Sequence, residues 1–143
     1  MTDSEIDLLA IAYMATTPPP IADDPHEQDK LDSFVGDTFG ALFDPSSGLL
    51  VAGDQRSIRR FVIECCRDKD DEELAYFGAG VPEEIVNGGR VQALQGLVEA
   101  ARSDRFVRRS LGFAWFSPTT TDPEALELIA EIESLAIHGQ TEA

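Results

Sequence analysis

Apolar residues in this chain recur at intervals of three and four, the spacing that lines one side of an α-helix. Val91, Leu94, Leu97, Val98 and Ala101 form the cleanest such stripe. The same spacing returns in Ile6, Leu9, Ala10 and Tyr13, in Leu31, Phe34, Val35, Thr38 and Leu42, and in Ile58, Phe61, Val62 and Cys65. No convincing pair of strands competes with these patterns. Only Leu49, Leu50 and Val51 stand outside them, a run short enough for a docked loop or a lone strand.

The punctuation between stripes is helical as well. Thr2 with Glu5, and Asp70 with Glu73, have the spacing of a capping box, in which each residue satisfies a free amide of the other. These pairs predict helices over 3–15 and from about 70 to 77. Pro18, Pro19 and Pro20 end the first helix and predict an extended spacer to Pro25, followed by a helix over 26–43. Gly36 and Gly40 weaken that helix or admit a close neighbour. Asp54 caps the next. Gly78 and Gly80 stop the helix before Pro82, and Asn87, Gly88 and Gly89 stop the one after it. Ser103 or Asp104 opens a helix bearing Phe106, Val107, Ser110, Phe113 and Ala114. Asp122 and Pro123 open the last, with Leu126, Ile129, Ala130 and Ile137 inward. Short helices joined by tight turns pack antiparallel, so the expected fold is all-α, with about seven helices stacked as hairpins in the manner of a short α-solenoid. Residues 1–25 are read as an amino-terminal helix with a proline-rich linker, 26–138 as the helical domain and 139–143 as a polar tail.

Of the 143 residues, 27 are acidic and 11 are lysine or arginine, a net charge of −16. Such a balance disfavours direct nucleic-acid binding, because a phosphate backbone demands clustered cations. It would steer a basic protein partner inward. No apolar run approaches the length of a membrane span and the amino terminus is acidic, so the chain is read as cytoplasmic, without membrane association. Cys65 and Cys66 are neighbours and cannot staple distant segments. They are read as reduced thiols, Cys65 in the core and Cys66 at its edge.

The run Asp70 to Ile85, an acidic helix start followed by Gly78, Ala79 and Gly80 and then by Glu83 and Glu84, resembles an uncharacterised family of small bacterial all-helical domains. Arg105, Phe106, Leu111 and Trp115 extend the likeness, which spans roughly residues 58–116. Phe61 stands where that pattern would carry tryptophan, and the first fifty residues have no counterpart in it. The resemblance implies a bacterial helical fold and carries no known reaction.

Chemistry is sparse. A calcium loop begun at Asp68 would need glycine sixth and glutamate twelfth, where Glu73 and Ala79 stand. His26 and His138 lie near opposite ends, each without a neighbouring cysteine or second histidine, so zinc lacks its ligands. No catalytic residue, cofactor or metal site is assigned, and enzymatic activity, though undecided, is the less favoured reading. Two arginine groups stand out: Arg56, Arg59, Arg60 and Arg67, and Arg102, Arg105, Arg108 and Arg109. They either pair with acids of neighbouring helices, the reading we favour, or hold an anion, with Arg56, Arg60, Arg105 and Arg109 as its candidate ligands. Trp115 and Phe116 are core if the last helix covers them, as we expect, and interface anchors if it does not.

The leading expectation is a non-enzymatic protein that binds another, basic protein through acids that include Asp23, Asp24, Asp29 and Asp32, with Trp115 and Phe116 as further contacts. Its sharpest form is an immunity protein or inhibitor of a nuclease-like target. The alternatives are an anion or small-molecule binder, or unrecognised hydrolase, built on the arginines, and a structural subunit of a larger complex. The oligomeric state is left open.

Overall fold

The computed structural model describes residues 1–141, with side chains through Ile137. His138 and the residues of the polar tail after it thus have side chains outside the described residues. Nine helices and no strand occur in the described part: α1 (Asp3–Ala15), α2 (Pro25–Phe43), α3 (Leu49–Ala52), α4 (Gln55–Cys66), α5 (Asp71–Gly78), α6 (Val81–Gly88), α7 (Val91–Ser103), α8 (Arg105–Leu111) and α9 (Pro123–Thr141). The all-α expectation holds, and α3 is a single turn.

Both capping boxes form. Thr2 accepts from the Glu5 amide at 3.2 Å and Asp70 from the Glu73 amide at 2.8 Å, with each glutamate reaching back to the cap. Asp54 caps α4 by accepting from the Ser57 amide, and Asp104 caps α8 by accepting from those of Phe106 and Val107, without a reciprocal glutamate. Each such cap is worth about 1 kcal/mol against alanine. At the carboxyl end of α1 the hydroxyls of Thr16 and Thr17 both donate to the Tyr13 carbonyl, which satisfies an acceptor left over by the end of the helix.

The helices stack in a row. α1 lies on α4, α4 on α7 and α7 on α9, while α8 touches α4, α5, α7 and α9. Asp3 meets Arg56, Asp7 meets Arg60 and Ala10 meets Cys65, so α1 and α4 run parallel. Ile6, Ala10 and Tyr13 of α1 are buried with Phe61, Val62, Phe77 and Leu97 in one continuous core. Burying Ile6 alone contributes about 2 kcal/mol. The α4–α7 crossing is close because Gly96 has no side chain: a Cβ there would lie 2.8 Å from the Gln55 carbonyl oxygen and 3.0 Å from Ile58. Gly89 ends α6 in the left-handed conformation, with φ of 69°.

Four expectations are corrected and a fifth is narrowed. Leu49 to Ala52 form a helical turn rather than a loop or strand, because the Arg90 guanidinium donates to the Leu50 and Gly53 carbonyls at its end, at 3.1 and 2.8 Å. Cys66 is buried as fully as Cys65, since α8 packs over that side of α4. Of the two readings of Gly36 and Gly40, the close neighbour falls and intrinsic weakening of the helix is left, since nothing lies within 4 Å of a Cβ at either. On α9 the inward residues are Ala125, Ile129 and Ile132, flanked by Leu128 and Leu135, while Leu126, Ala130 and Ile137 face outward. Both sets satisfy the helical period, and contact with α7 and α8 selects the first. Finally, α8 stops at Leu111, so Phe113 and Ala114 lie beyond it and Trp115 sits in the following loop, 81% exposed.

Candidate interaction surface

Among the described residues, five arginines of the two groups are engaged by carboxylates. Arg56 grips Asp3 through two bonds of 3.0 Å, and Arg60 grips Asp7 at 2.8 and 2.9 Å while reaching Asp3 at 3.4 Å. Arg109 holds Asp71 at 2.6 and 2.8 Å, Arg67 holds Glu64 and Arg102 holds Glu131. Bidentate geometry of this kind is what a planar guanidinium does best. Its electrostatic trace is mutual. Hydrogen bonding to Arg56, Arg60 and Arg109 holds the carboxyls of Asp3, Asp7 and Asp71 below their ordinary value, and those arginines become still harder to deprotonate. Arg108 donates to the Ala101 and Arg102 carbonyls at the end of α7.

The four candidate anion ligands are not brought together. Arg60 and Arg56 line a concavity of about 230 Å³ on the outer side of α4, with Arg59, Ile63, Glu64 and Arg67. Arg105 and Arg109 are not part of it. Arg105 instead lies over the Phe106 ring at 5.0 Å, in cation–π contact. Three of the four therefore already have carboxylate partners, and the pairing reading is the one the geometry supports.

The acids of α2 present the opposite picture. Asp24 caps the helix by accepting from the His26 amide at 2.9 Å, and Pro25 occupies the first turn. Gln28 accepts from the Ala22 amide at 2.7 Å and donates to Asp32 at 2.9 Å, which fastens the incoming chain to the helix. Asp23, Asp24, Asp29, Asp32 and Asp37 are all exposed, and none pairs with a cation among the described residues. Only Glu27 has a basic partner, Lys30 at 3.4 Å. At the far end, Asp44 accepts from the amides and hydroxyls of Ser46 and Ser47, which lower its carboxyl to about 2.

Trp115 and Phe116 part company. The Trp115 amide donates to Glu83 at 2.6 Å and the Ser117 amide to Asn87 at 2.7 Å, so this loop is laced to α6. Phe116 turns in against the core, whereas the indole points to solvent. The expectation that the last helix covers Trp115 is thus reversed.

Cys65 and Cys66 have no exposed surface, and burial pushes both thiols up, away from thiolate chemistry. Among the described residues no group of three His, Cys, Asp or Glu side chains is placed to hold a metal ion. No helix among them is long and apolar enough to cross a membrane.

The chain matches no family model, no curated protein and no solved structure. Two features escaped the sequence reading. Arg90 lay outside both arginine groups, and its role at the end of α3 had no local signal. Phe34 was placed in the core stripe of α2, yet it is 42% exposed; the two glycines and many acids of that helix were the available hint that little would pack on it.

Proposed function

We propose that this chain is a non-catalytic, cytoplasmic binding protein whose acidic α2 region receives the basic surface of another protein. In its sharpest form it is an immunity protein or inhibitor that covers the cationic cleft of a nuclease-like enzyme. One observation supports this reading: Asp3 and Asp7 of α1, Asp71 of α5 and Glu131 of α9 are paired with arginines, whereas Asp23 and Asp24 before α2 and Asp29, Asp32 and Asp37 on it face solvent and pair with no cation among the described residues. A local field of one sign speeds encounter with a complementary surface and rejects similarly charged ones.

The test compares the wild-type chain with a variant in which Asp23, Asp24, Asp29 and Asp32 are all changed to Asn. Each is used to capture partners from native lysate at low and moderate salt. A basic protein held stoichiometrically by the wild type, released by salt and lost with the variant, is the expected result. A partner retained equally by both sinks the proposal.

The exposed indole of Trp115 favours a second reading, that the chain is a subunit of a larger assembly which covers this loop. Substituting Trp115 by Ala would then abolish the assembly while leaving capture through α2 intact.

A further inference from the structure

The stripe of α2 is longer than the part of it that the fold uses. Leu31, Phe34, Val35, Thr38 and Leu42 fall within an arc of about 100° on a helical projection. Of these only Thr38 and Leu42, in the carboxyl-terminal half, are buried. Leu31 and Val35 are half-exposed and Phe34 is exposed, so the stripe runs out of the core over its amino-terminal part. Phe39, which packs near Tyr13 and Phe43, lies to the other side of it. Asp37 flanks the stripe beside Phe34, Asp32 flanks it opposite, and Glu27 continues its line one turn before Leu31.

We infer that this open stretch of α2 seats a basic amphipathic helix belonging to the partner protein, an inference that rests on the function proposed above. The charge argument selects the occupant. A second copy would bring the same acids against these, and an anionic lipid surface would be repelled for the same reason. A basic helix with one apolar side meets both requirements at once. Its leucine-like residues cover Leu31, Phe34 and Val35, and its cations reach Glu27, Asp32 and Asp37. No strand occurs among the described residues, so an extended peptide would find no sheet edge to join.

The probe is a synthetic helical peptide of leucine and lysine, about 14 residues or four turns long, with its leucines on one side. A lysine-rich peptide of equal charge without leucine is the control. Binding of each to the full chain is followed by titration calorimetry. Phe34→Ala and Val35→Ala are compared with Leu8→Ala and Ile11→Ala, whose side chains are exposed on the outer side of α1. The expected result is a loss of about tenfold for the α2 variants, the size for an interface anchor, and little change for the α1 variants. Phe34→Gln, which retains a long side chain on the helix, should lose as much and guards against a folding defect in the alanine variant.

If the leucine-free peptide binds as tightly, or all four alanine variants bind alike, the seat on α2 is overturned while the acidic attraction stands. If neither cationic peptide binds, the function proposed above fails with it.

Discussion

Replacing glycine by alanine inside a helix ordinarily stabilises it, by about 0.5–1 kcal/mol, because glycine loses more backbone freedom on folding. At Gly36 of α2 nothing lies within 4 Å of the added carbon, so Gly36→Ala should gain that amount. At Gly96 of α7 the same carbon would stand 2.8 Å from the Gln55 carbonyl oxygen and 3.0 Å from the Cβ and Cγ2 of Ile58. The carbonyl belongs to the backbone of α4 and cannot swing aside like a side-chain tip. The two helices must therefore separate, and overpacking of this kind costs about 1–3 kcal/mol. Taking the two effects together, Gly96→Ala should lose about 1–2 kcal/mol. Urea unfolding followed by circular dichroism reads the difference, and the midpoint should fall by about 0.5–1 M. Gly36→Ala should move it the other way. A Gly96→Ala chain as stable as the wild type would show that the α4–α7 contact yields freely, and the close-packing argument would be wrong.

Other outcomes follow from the same structure. Trp115, being exposed, should fluoresce as a solvated indole and be readily quenched by iodide; a blue-shifted, protected emission from the isolated chain would contradict its placement. Cys65 and Cys66 should resist a thiol reagent in the native chain and react together once it is unfolded; fast native labelling of Cys66 would show that α8 does not cover α4, and of Cys65 that α1 does not. Asp3 and Asp7 have folded-state values below the ordinary 3.8, so their contribution to stability is present above that value and is lost as pH falls through the lowered ones. The urea midpoint should drop on acidification below about pH 4, and by less in Asp7→Asn, which loses the proton-linked Asp7–Arg60 pair and keeps only those made by Asp3. A drop of equal size in that variant would show that the Asp7–Arg60 pair is not its source. Tyr13, buried and pushed up to about 12, should lose its stabilising neutrality only in strong alkali, read as late phenolate absorbance in an alkaline titration.

What could be read from residues alone was the local chemistry. Thr2 with Glu5 and Asp70 with Glu73 announce helix starts because a cap is made within four residues. Stripes such as that of α7 announce helices because periodicity is a property of the segment. The −16 charge already argued against a phosphate backbone as partner. The acids around α2 that now form the candidate surface were visible as a group, but that those other than Glu27 meet no cation among the described residues was not.

Tertiary structure decided whatever depended on a neighbour from elsewhere in the chain. Gly36 and Gly96 are both helical glycines, yet only the second has another helix against it. Leu126 and Ile129 fit the same period on α9, and contact with α7 and α8 chose between them. Arg60 and Arg105 carry the same charge, but one faces Asp7 from a parallel helix and the other lies over the Phe106 ring. Trp115 looked like core while its helix was expected to continue, and became exposed where α8 ended. A sequence prescribes which groups want burial or a partner; only packing determines which of them obtain it.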